Sequence, residues 1–266
     1  MNEVKQKIKP FSSLLKETWE IFKVDWSRFA KMIGLGILGI VPMIIVVVLF
    51  TVNSFLFKES GAIYGIISII LGLISIAAVV CAIYVGVVSK IGTFNLLKNR
   101  NGKIYEMFKA GRQSFWGFIW ISILTAVLVF LWTLALIIPG IIFSVYYSLS
   151  IYVFVFEGKT GMAAVKRSHQ LIKGYWWAFL GRIILFSLLV IIIYIIASII
   201  FGLPILVTPA NSLSRSMANG TTDVITSIFN AFVIAPLYMI FIGLIYKDLV
   251  RIKDQNSSLE NPPIAK

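Results

Sequence analysis

The chain has little charge, one cysteine and one histidine. Only 13% of its 266 residues are charged, while 59% are hydrophobic and the mean hydropathy is +0.94. Soluble domains carry about 25% charged residues, so this composition excludes a soluble protein and predicts a polytopic membrane protein. The single cysteine, Cys81, excludes an intramolecular disulfide. The lone histidine, His169, has no second His or Cys nearby in the sequence and is a poor basis for a metal site.

Catalytic patterns are also missing from the sequence. It contains no G-x-S-x-G nucleophile motif, no Walker A motif and no dinucleotide-binding fingerprint. Glu106 and Glu157 are separate carboxylates, and nothing in the sequence pairs them for acid–base work. No charge lies at the centre of an apolar run, and Lys90 and Arg182 lie near span ends, where they can extend to headgroups. We therefore expect no enzyme, no cofactor, no metal and no proton-driven pump.

Long uncharged runs predict six transmembrane helices. A helix of ~20 apolar residues crosses a bilayer. The uncharged run from Phe115 to Phe156 therefore holds two spans, with Pro139-Gly140 as their turn. The predicted fold is all-α, with one integral membrane domain over residues 1–253 and a polar tail over 254–266. The predicted spans are about 33–57, 61–91, 117–138, 141–156, 178–203 and 224–246.

Polar residues and prolines predict where the helices end or bend. Residues 1–10 are polar and basic and are expected to fray. Pro42 is expected to kink the first span, and Pro236 is expected to break the last one. The expected connections are the loop Lys58-Glu59-Ser60, a polar linker at 92–103 and a polar loop at 204–222.

Three stretches combine an apolar face with a basic face at helical spacing. They cover about 11–29, 104–115 and 162–176, and each is expected to lie in the plane of the membrane interface. In the third stretch, Val165, Ile172 and Trp176 should be buried, and its cations should face headgroups or a partner. The candidate residues for binding lipid or a partner are Lys166, Arg167, Lys173 and Trp176 in the third stretch and Lys23 and Trp26 in the first.

The first and third stretches match each other across an offset of 150 residues. The offset pairs Lys23 with Lys173 and Trp26 with Trp176, without a gap and in the same helical phase. The middle stretch matches more weakly. We interpret the pattern as one unit, an in-plane helix followed by a transmembrane hairpin, that occurs three times.

Basic residues are distributed unevenly between the two sides of the predicted membrane topology. Of the 24 lysines and arginines, 22 lie on one side, and only Lys58 and Arg215 lie on the other. The positive-inside rule then predicts a multi-pass protein of the plasma membrane with both termini in the cytoplasm. This bias and anionic headgroups account for the net charge of +13, so we expect no nucleic acid. The expected partners are the phospholipid bilayer with its anionic lipids and a membrane or cytoplasmic protein.

Small residues form a stripe along the second span. Their spacing predicts close packing and a helix buried in the bundle, so Gly72→Leu or Gly86→Leu should wedge helices apart. The stripe is also compatible with a homo-oligomer seam. In the first span, three glycines are expected to permit close helix approach. The stripe consists of Gly61, Gly65, Ser68, Gly72, Ser75, Ala82, Gly86 and Ser89, and the three glycines are Gly34, Gly36 and Gly39.

An ordered set of short motifs lies between residues 138 and 176. It contains Ile138-Pro139-Gly140-Ile141, Tyr146-Tyr147-Ser148-Leu149, Ala163-Ala164-Val165-Lys166-Arg167-Ser168 and Leu171-Ile172-Lys173-Gly174-Tyr175-Trp176. The set resembles the bacterial membrane domain found beside glycerophosphodiester phosphodiesterases, and related six-span families. In some relatives a catalytic domain follows this module. The sequence contains no such domain, and the resemblance therefore implies a standalone membrane module.

Two functions from different classes fit these observations. The preferred one is a non-catalytic module that binds lipid or a protein partner at the cytoplasmic face, since three basic stretches face that side. The alternative is a transporter or permease for a lipid or small amphiphile, which the repeat and Pro42, Pro139 and Pro236 favour. A continuous polar cavity would support transport, and a solid bundle would support binding.

Overall fold

The computed structural model describes residues 7–57, 61–207 and 223–260, and all regular structure within them is helical. The predicted all-α class is confirmed. A π-helical turn, Asn230–Ile234, precedes the last helix. The helices are α1 (Phe11–Leu38), α2 (Val41–Phe57), α3 (Ala62–Lys98), α4 (Ile104–Gln113), α5 (Phe115–Ala135), α6 (Ile137–Tyr147), α7 (Ser150–Glu157), α8 (Gly161–Ile172), α9 (Trp176–Val207) and α10 (Ala235–Glu260).

Six helical segments of the described chain are long and apolar enough to cross a membrane, which confirms the prediction of a polytopic fold. Lipid offers no hydrogen-bond partner to the backbone, so an apolar chain must satisfy its own amide groups within helices. The segments are Phe11–Leu56, Ile63–Lys98, Phe115–Ala135, Ile137–Glu157, Trp176–Ile200 and Asp223–Gln255.

The chain divides into two compact units. The first unit contains Met1–Trp26 and Ile119–Lys266, and the second contains Ser27–Phe118. In the first unit, α8 packs against α6, α7 and α10. In the second unit, α3 packs against both α2 and α4.

Close helix contacts in the second unit depend on glycines. A Cβ on Gly36 would lie 3.2 Å from the Ser89 Cβ, and one on Gly39 would lie 2.8 Å from the Val85 Cβ. The predicted close approach is therefore confirmed at these two positions. At Gly34, no atom lies within 4 Å of the Cβ position.

The small-residue stripe on α3 packs as predicted over only part of its length. Asn53 Nδ2 of α2 donates to the Ser68 hydroxyl at 3.0 Å, and Ser89 is buried against Gly36. At Gly65, Gly72 and Gly86, no atom lies within 4 Å of the position that a Cβ would occupy. The buried positions Leu71 and Ala78 lie along one edge of the stripe, and many large side chains of α3 are exposed. The prediction that this helix is buried in the bundle is wrong for its first two thirds, where most large side chains are exposed. The prediction that leucine at Gly72 or Gly86 wedges helices apart is also wrong, because the described structure leaves room there.

The predictions that Pro42 kinks the first span and that Pro139-Gly140 is the turn of the hairpin are corrected, because each proline lies in the first turn of a helix that begins after the bend. Helix α1 ends at Leu38, and Pro42 is the second residue of α2. The turn between α5 and α6 is at Leu136, which is extended with φ −160° and ψ 135°. Pro139 follows in the first turn of α6, where its missing N–H costs no helical hydrogen bond.

Pro236 does not break the last span, contrary to the prediction. The helix runs through it, and the π-helical turn Asn230–Ile234 lies directly upstream. The Ala235 N–H donates to the Asn230 carbonyl, five residues back. The wider turn accommodates the proline, whose ring would otherwise clash with the carbonyl four residues earlier.

Three helices extend beyond their predicted ends. Helix α3 continues to Lys98, so the predicted linker at 92–103 is reduced to residues 99–103. Helix α9 continues through Pro204 to Val207, and α10 continues to Glu260, where a tail was predicted. The predicted Lys58-Glu59-Ser60 loop, the rest of the 204–222 loop and the last residues of the tail lie outside the described residues.

One glycine explains why the first and third stretches, which match each other best in sequence, differ in structure. Helix α8 ends at Ile172, and Gly174 has φ +89° before α9 begins. The residue 150 positions earlier is Val24, which lies inside the continuous helix α1. A β-branched residue strongly disfavours positive φ, whereas glycine adopts it freely. The third copy therefore has a separate short helix, and the first copy does not.

We expect Gly174→Ala to lower the stability of the protein by roughly 1–3 kcal/mol, the usual cost of a strained backbone. No atom lies within 4 Å of the new Cβ, so the cost is conformational and not steric. Gly181→Ala is the matched control, because Gly181 is equally uncrowded but lies inside α9. Thermal unfolding of both variants in one detergent tests this, and equal midpoints would contradict it.

Candidate functional site

Helix α8 is fixed to its neighbours by one buried face. Val165 and Ile172 are buried, as predicted. The Ser168 hydroxyl donates to the Tyr146 carbonyl at 2.6 Å. The His169 ring stacks on Tyr146 with centroids 4.3 Å apart, so this histidine is part of an aromatic contact. Two residues of the short motifs, Tyr146 and Ser168, are thus in direct contact.

The three cations predicted on the outer face of α8 do not behave alike. Lys166 and Lys173 are exposed, as predicted. Arg167 is not a free surface cation, because its Nε donates to Glu157 Oε1 at 3.2 Å and to Oε2 at 3.3 Å. Its Nη2 also lies 3.6 Å from Asp254 Oδ1. The prediction that Arg167 faces headgroups or a partner is therefore corrected.

Glu157, which the sequence left without a partner, joins three helices. It ends α7 and binds Arg167 of α8, and the Tyr246 hydroxyl of α10 donates to its Oε1 at 2.9 Å. The Lys159 Nζ lies 2.8 Å from its Oε2. The sequence signal that could have indicated these contacts is a single acidic residue at the end of a long uncharged run, followed closely by basic residues.

Trp176 is half-buried, whereas the sequence predicted burial. It begins α9, and its Nε1 donates to the Ile142 carbonyl at 3.4 Å. The Trp177 ring packs edge-on against it, with centroids 4.6 Å apart, and is itself 80% exposed. The pair forms an aromatic edge shortly after Lys173 in the chain, which suits the boundary between apolar and polar surroundings.

The two candidates in the first stretch lie on exposed parts of α1. Lys23 is exposed, and its Nζ lies 5.7 Å from the centre of the Trp19 ring. Trp26 is 39% exposed and contacts the rings of Phe22 and Phe232 at centroid distances of 5.5 and 6.2 Å. The structure therefore associates Lys23 with Trp19, which the sequence did not select.

The N-terminal segment is clamped to the bundle, although fraying was predicted for residues 1–10. Ile8 is buried, and the Lys9 N–H donates to Asp248 Oδ2 at 2.6 Å. Arg182 donates to the carbonyls of Ile8 and Lys9 at 2.8 to 3.0 Å and to that of Ala178 at 2.7 Å. Arg182 thus satisfies backbone carbonyls and does not extend to headgroups. Residues 1–6 lie outside the described part.

A cavity of about 430 Å³ lies between α1, α9 and α10 in the first unit. Apolar side chains form most of its lining. The exceptions come from α1 and include Lys16, an exposed cation. The lining includes Leu15, Lys16 and Trp19 of α1, Leu189 and Val190 of α9, and Leu237 of α10.

No cluster of metal ligands stands out in the described chain. Within residues 7–57, 61–207 and 223–260, no group of three or more His, Cys, Asp or Glu side chains is arranged to hold a metal ion. Cys81 is a free, exposed thiol on α3. No protein-family model, no curated protein and no solved structure matches this chain.

Proposed function

We propose that this protein is a non-catalytic module of the plasma membrane that binds anionic phospholipid at the cytoplasmic face. Two exposed lysines carry this proposal, Lys166 on α8 and Lys173 directly after its end. In the described structure, neither side chain forms an ion pair. Each cation near a membrane surface contributes about 1 kcal/mol of attraction to an anionic leaflet.

The anchoring of α8 supports a binding role for these lysines. Val165 and Ile172 are buried against neighbouring helices, and flanking apolar segments already hold α8 at the membrane. The electrostatic attraction is therefore not needed for attachment and is available to retain a lipid headgroup. The resemblance to a standalone membrane module is consistent with this role.

The alternative is a transporter or permease for a lipid or small amphiphile. A polar solute needs a path lined by groups that replace its hydration. Translocating a lipid requires such a polar path for its headgroup, and the cavity between α1, α9 and α10 is lined mainly by apolar side chains, which supports retention of a lipid over its transport.

We expect the double variant Lys166→Gln/Lys173→Gln to bind phosphatidylglycerol beside α8 roughly thirtyfold more weakly than wild type, which is the combined effect of two cations. Native mass spectrometry of protein extracted from vesicles of equimolar phosphatidylglycerol and phosphatidylcholine measures this. Lys31→Gln/Lys90→Gln removes the same charge from two exposed positions elsewhere and is the control. Arg167 stays unchanged because it binds Glu157. Equal lipid retention by wild type and both variants would refute the proposal.

A further inference from the structure

The cavity in the first unit has the form of a groove between two helical stripes. Its volume, about 430 Å³, lies within the ~300–1,000 Å³ typical of ligand pockets. On both helices the lining residues recur at i, i+3, i+4 and i+7, so each helix presents one face. At 1.5 Å per residue, such a stripe is ~10 Å long. The stripes are Ser12, Leu15, Lys16 and Trp19 of α1 and Phe186, Leu189, Val190 and Ile193 of α9.

The chemistry of the lining fits an acyl chain. Phe186 is fully buried and stacks on Phe241, with centroids 4.1 Å apart, and Leu237 is buried beside it. Leu189 and Val190 are half-buried along the groove. Lipid tails are as apolar as leucine, so a tail enters such a groove from the bilayer with little gain or penalty. Selection among lipids must then come from polar groups beside the groove.

Those polar groups are cations of α1. Lys16 lines the groove, is exposed, and forms no ion pair among the described residues. The adjacent carboxylate, Glu17, is held by Lys9 at 2.7 Å. Lys23 lies over the Trp19 ring, and Trp19 itself lines the groove and is 50% exposed. Lys16, Trp19 and Lys23 are spaced i, i+3 and i+7 and therefore share one helix face.

We infer that this groove binds one acyl chain of an anionic glycerophospholipid, with the headgroup phosphate held by Lys16 and Lys23. The tryptophan between the two cations lies at the boundary between tail and headgroup, where its amphipathic ring is suited to both. This inference rests on the proposed lipid-binding function, but it locates a binding site on α1 and α9, away from Lys166 and Lys173.

Filling the groove tests the acyl-chain half of the inference. Val190→Trp places a bulky ring in the groove, and we expect each chain to lose the one phosphatidylglycerol bound there. Leu188→Trp is the matched control, because Leu188 is on the same helix, is 51% exposed and is not part of the lining. The readout is native mass spectrometry after extraction from vesicles of equimolar phosphatidylglycerol and phosphatidylcholine with identical chains. Equal retention by the two tryptophan variants would overturn the inference.

Removing the charge of Lys16 tests whether the groove site binds the lipid headgroup. We expect Lys16→Gln to lower the ratio of bound phosphatidylglycerol to phosphatidylcholine about fivefold, the effect of one near-surface cation. An unchanged ratio would overturn the headgroup assignment. Lys166→Gln/Lys173→Gln separates the two proposals. If only this double variant reduces lipid retention, the proposed lipid-binding function is supported and the groove site is refuted. If only the groove variants do so, the binding site belongs to α1 and α9.

A measurement on the unaltered protein guards against variants that fold poorly. A phosphatidylglycerol with a photoreactive diazirine in its tail is incorporated into vesicles with the wild-type chain. After irradiation, we expect crosslinks to Leu189 and Ile193 to be suppressed by excess unlabelled phosphatidylglycerol and not by phosphatidylcholine. At the outward-facing Leu188 and Ile192, excess unlabelled phosphatidylglycerol and phosphatidylcholine should suppress crosslinks to the same extent. Equal competition by both lipids at all four positions would overturn the inference.

Discussion

Asp248→Ala is expected to release the N-terminal segment from the bundle and to lower stability by roughly 1–3 kcal/mol, the cost of leaving a hydrogen-bond donor without its acceptor. The Asp248 side chain is only 2% exposed. It accepts the Lys9 N–H at 2.6 Å and pairs with Arg251 at 2.9 Å. Alanine would leave the part-buried Lys9 amide without its acceptor, which is costly where water has little access.

Two measurements on the same preparation test this expectation. Thermal unfolding in detergent reports the loss of stability, and limited proteolysis reports whether cleavage near Lys9 becomes faster. Asp223→Ala is the control, because Asp223 is an exposed aspartate at the start of the last helical segment. An Asp248→Ala protein that melts and is cleaved like this control would show that the clamp contributes little.

Gly111→Leu is expected to separate α4 from α3 and to destabilise the second unit by about 3 kcal/mol or more, at the upper end of overpacking effects. A Cβ at Gly111 would lie 2.5 Å from the Val88 carbonyl oxygen and 3.3 Å from the Gly92 nitrogen. Both are backbone atoms, which cannot move aside as the end of a flexible side chain can. The helices would have to shift.

Gly86→Leu provides the comparison on the same pair of helices. Gly86 lies on α3 with no atom within 4 Å of a new Cβ, so this variant should melt close to wild type. Detergent melting curves of the two leucine variants give the test. Similar midpoints for both would mean that the close approach at Gly111 relaxes at little cost.

Sequence reasoning worked best where one local property decides the structure. The uncharged run Phe115–Phe156 was predicted to form two spans, and the structure has two helical segments there that are long and apolar enough to cross a membrane, because backbone groups in lipid must bond within the segment. Close approach at Gly36 and Gly39 was also predicted, since small residues permit it. The glycine at position 174 was visible in the sequence, but its positive φ was not predicted.

Only the tertiary structure decided which polar groups meet. Lys9 and Asp248 are 239 residues apart, so no helical periodicity could pair them. The same holds for Glu157 and Tyr246, which are 89 residues apart. Arg167 was expected on the surface because the helical wheel shows only which side a residue lies on. Whether that side faces lipid, water or another helix depends on long-range packing, and this is why the sequence determined the six spans and the structure determined which cations are free.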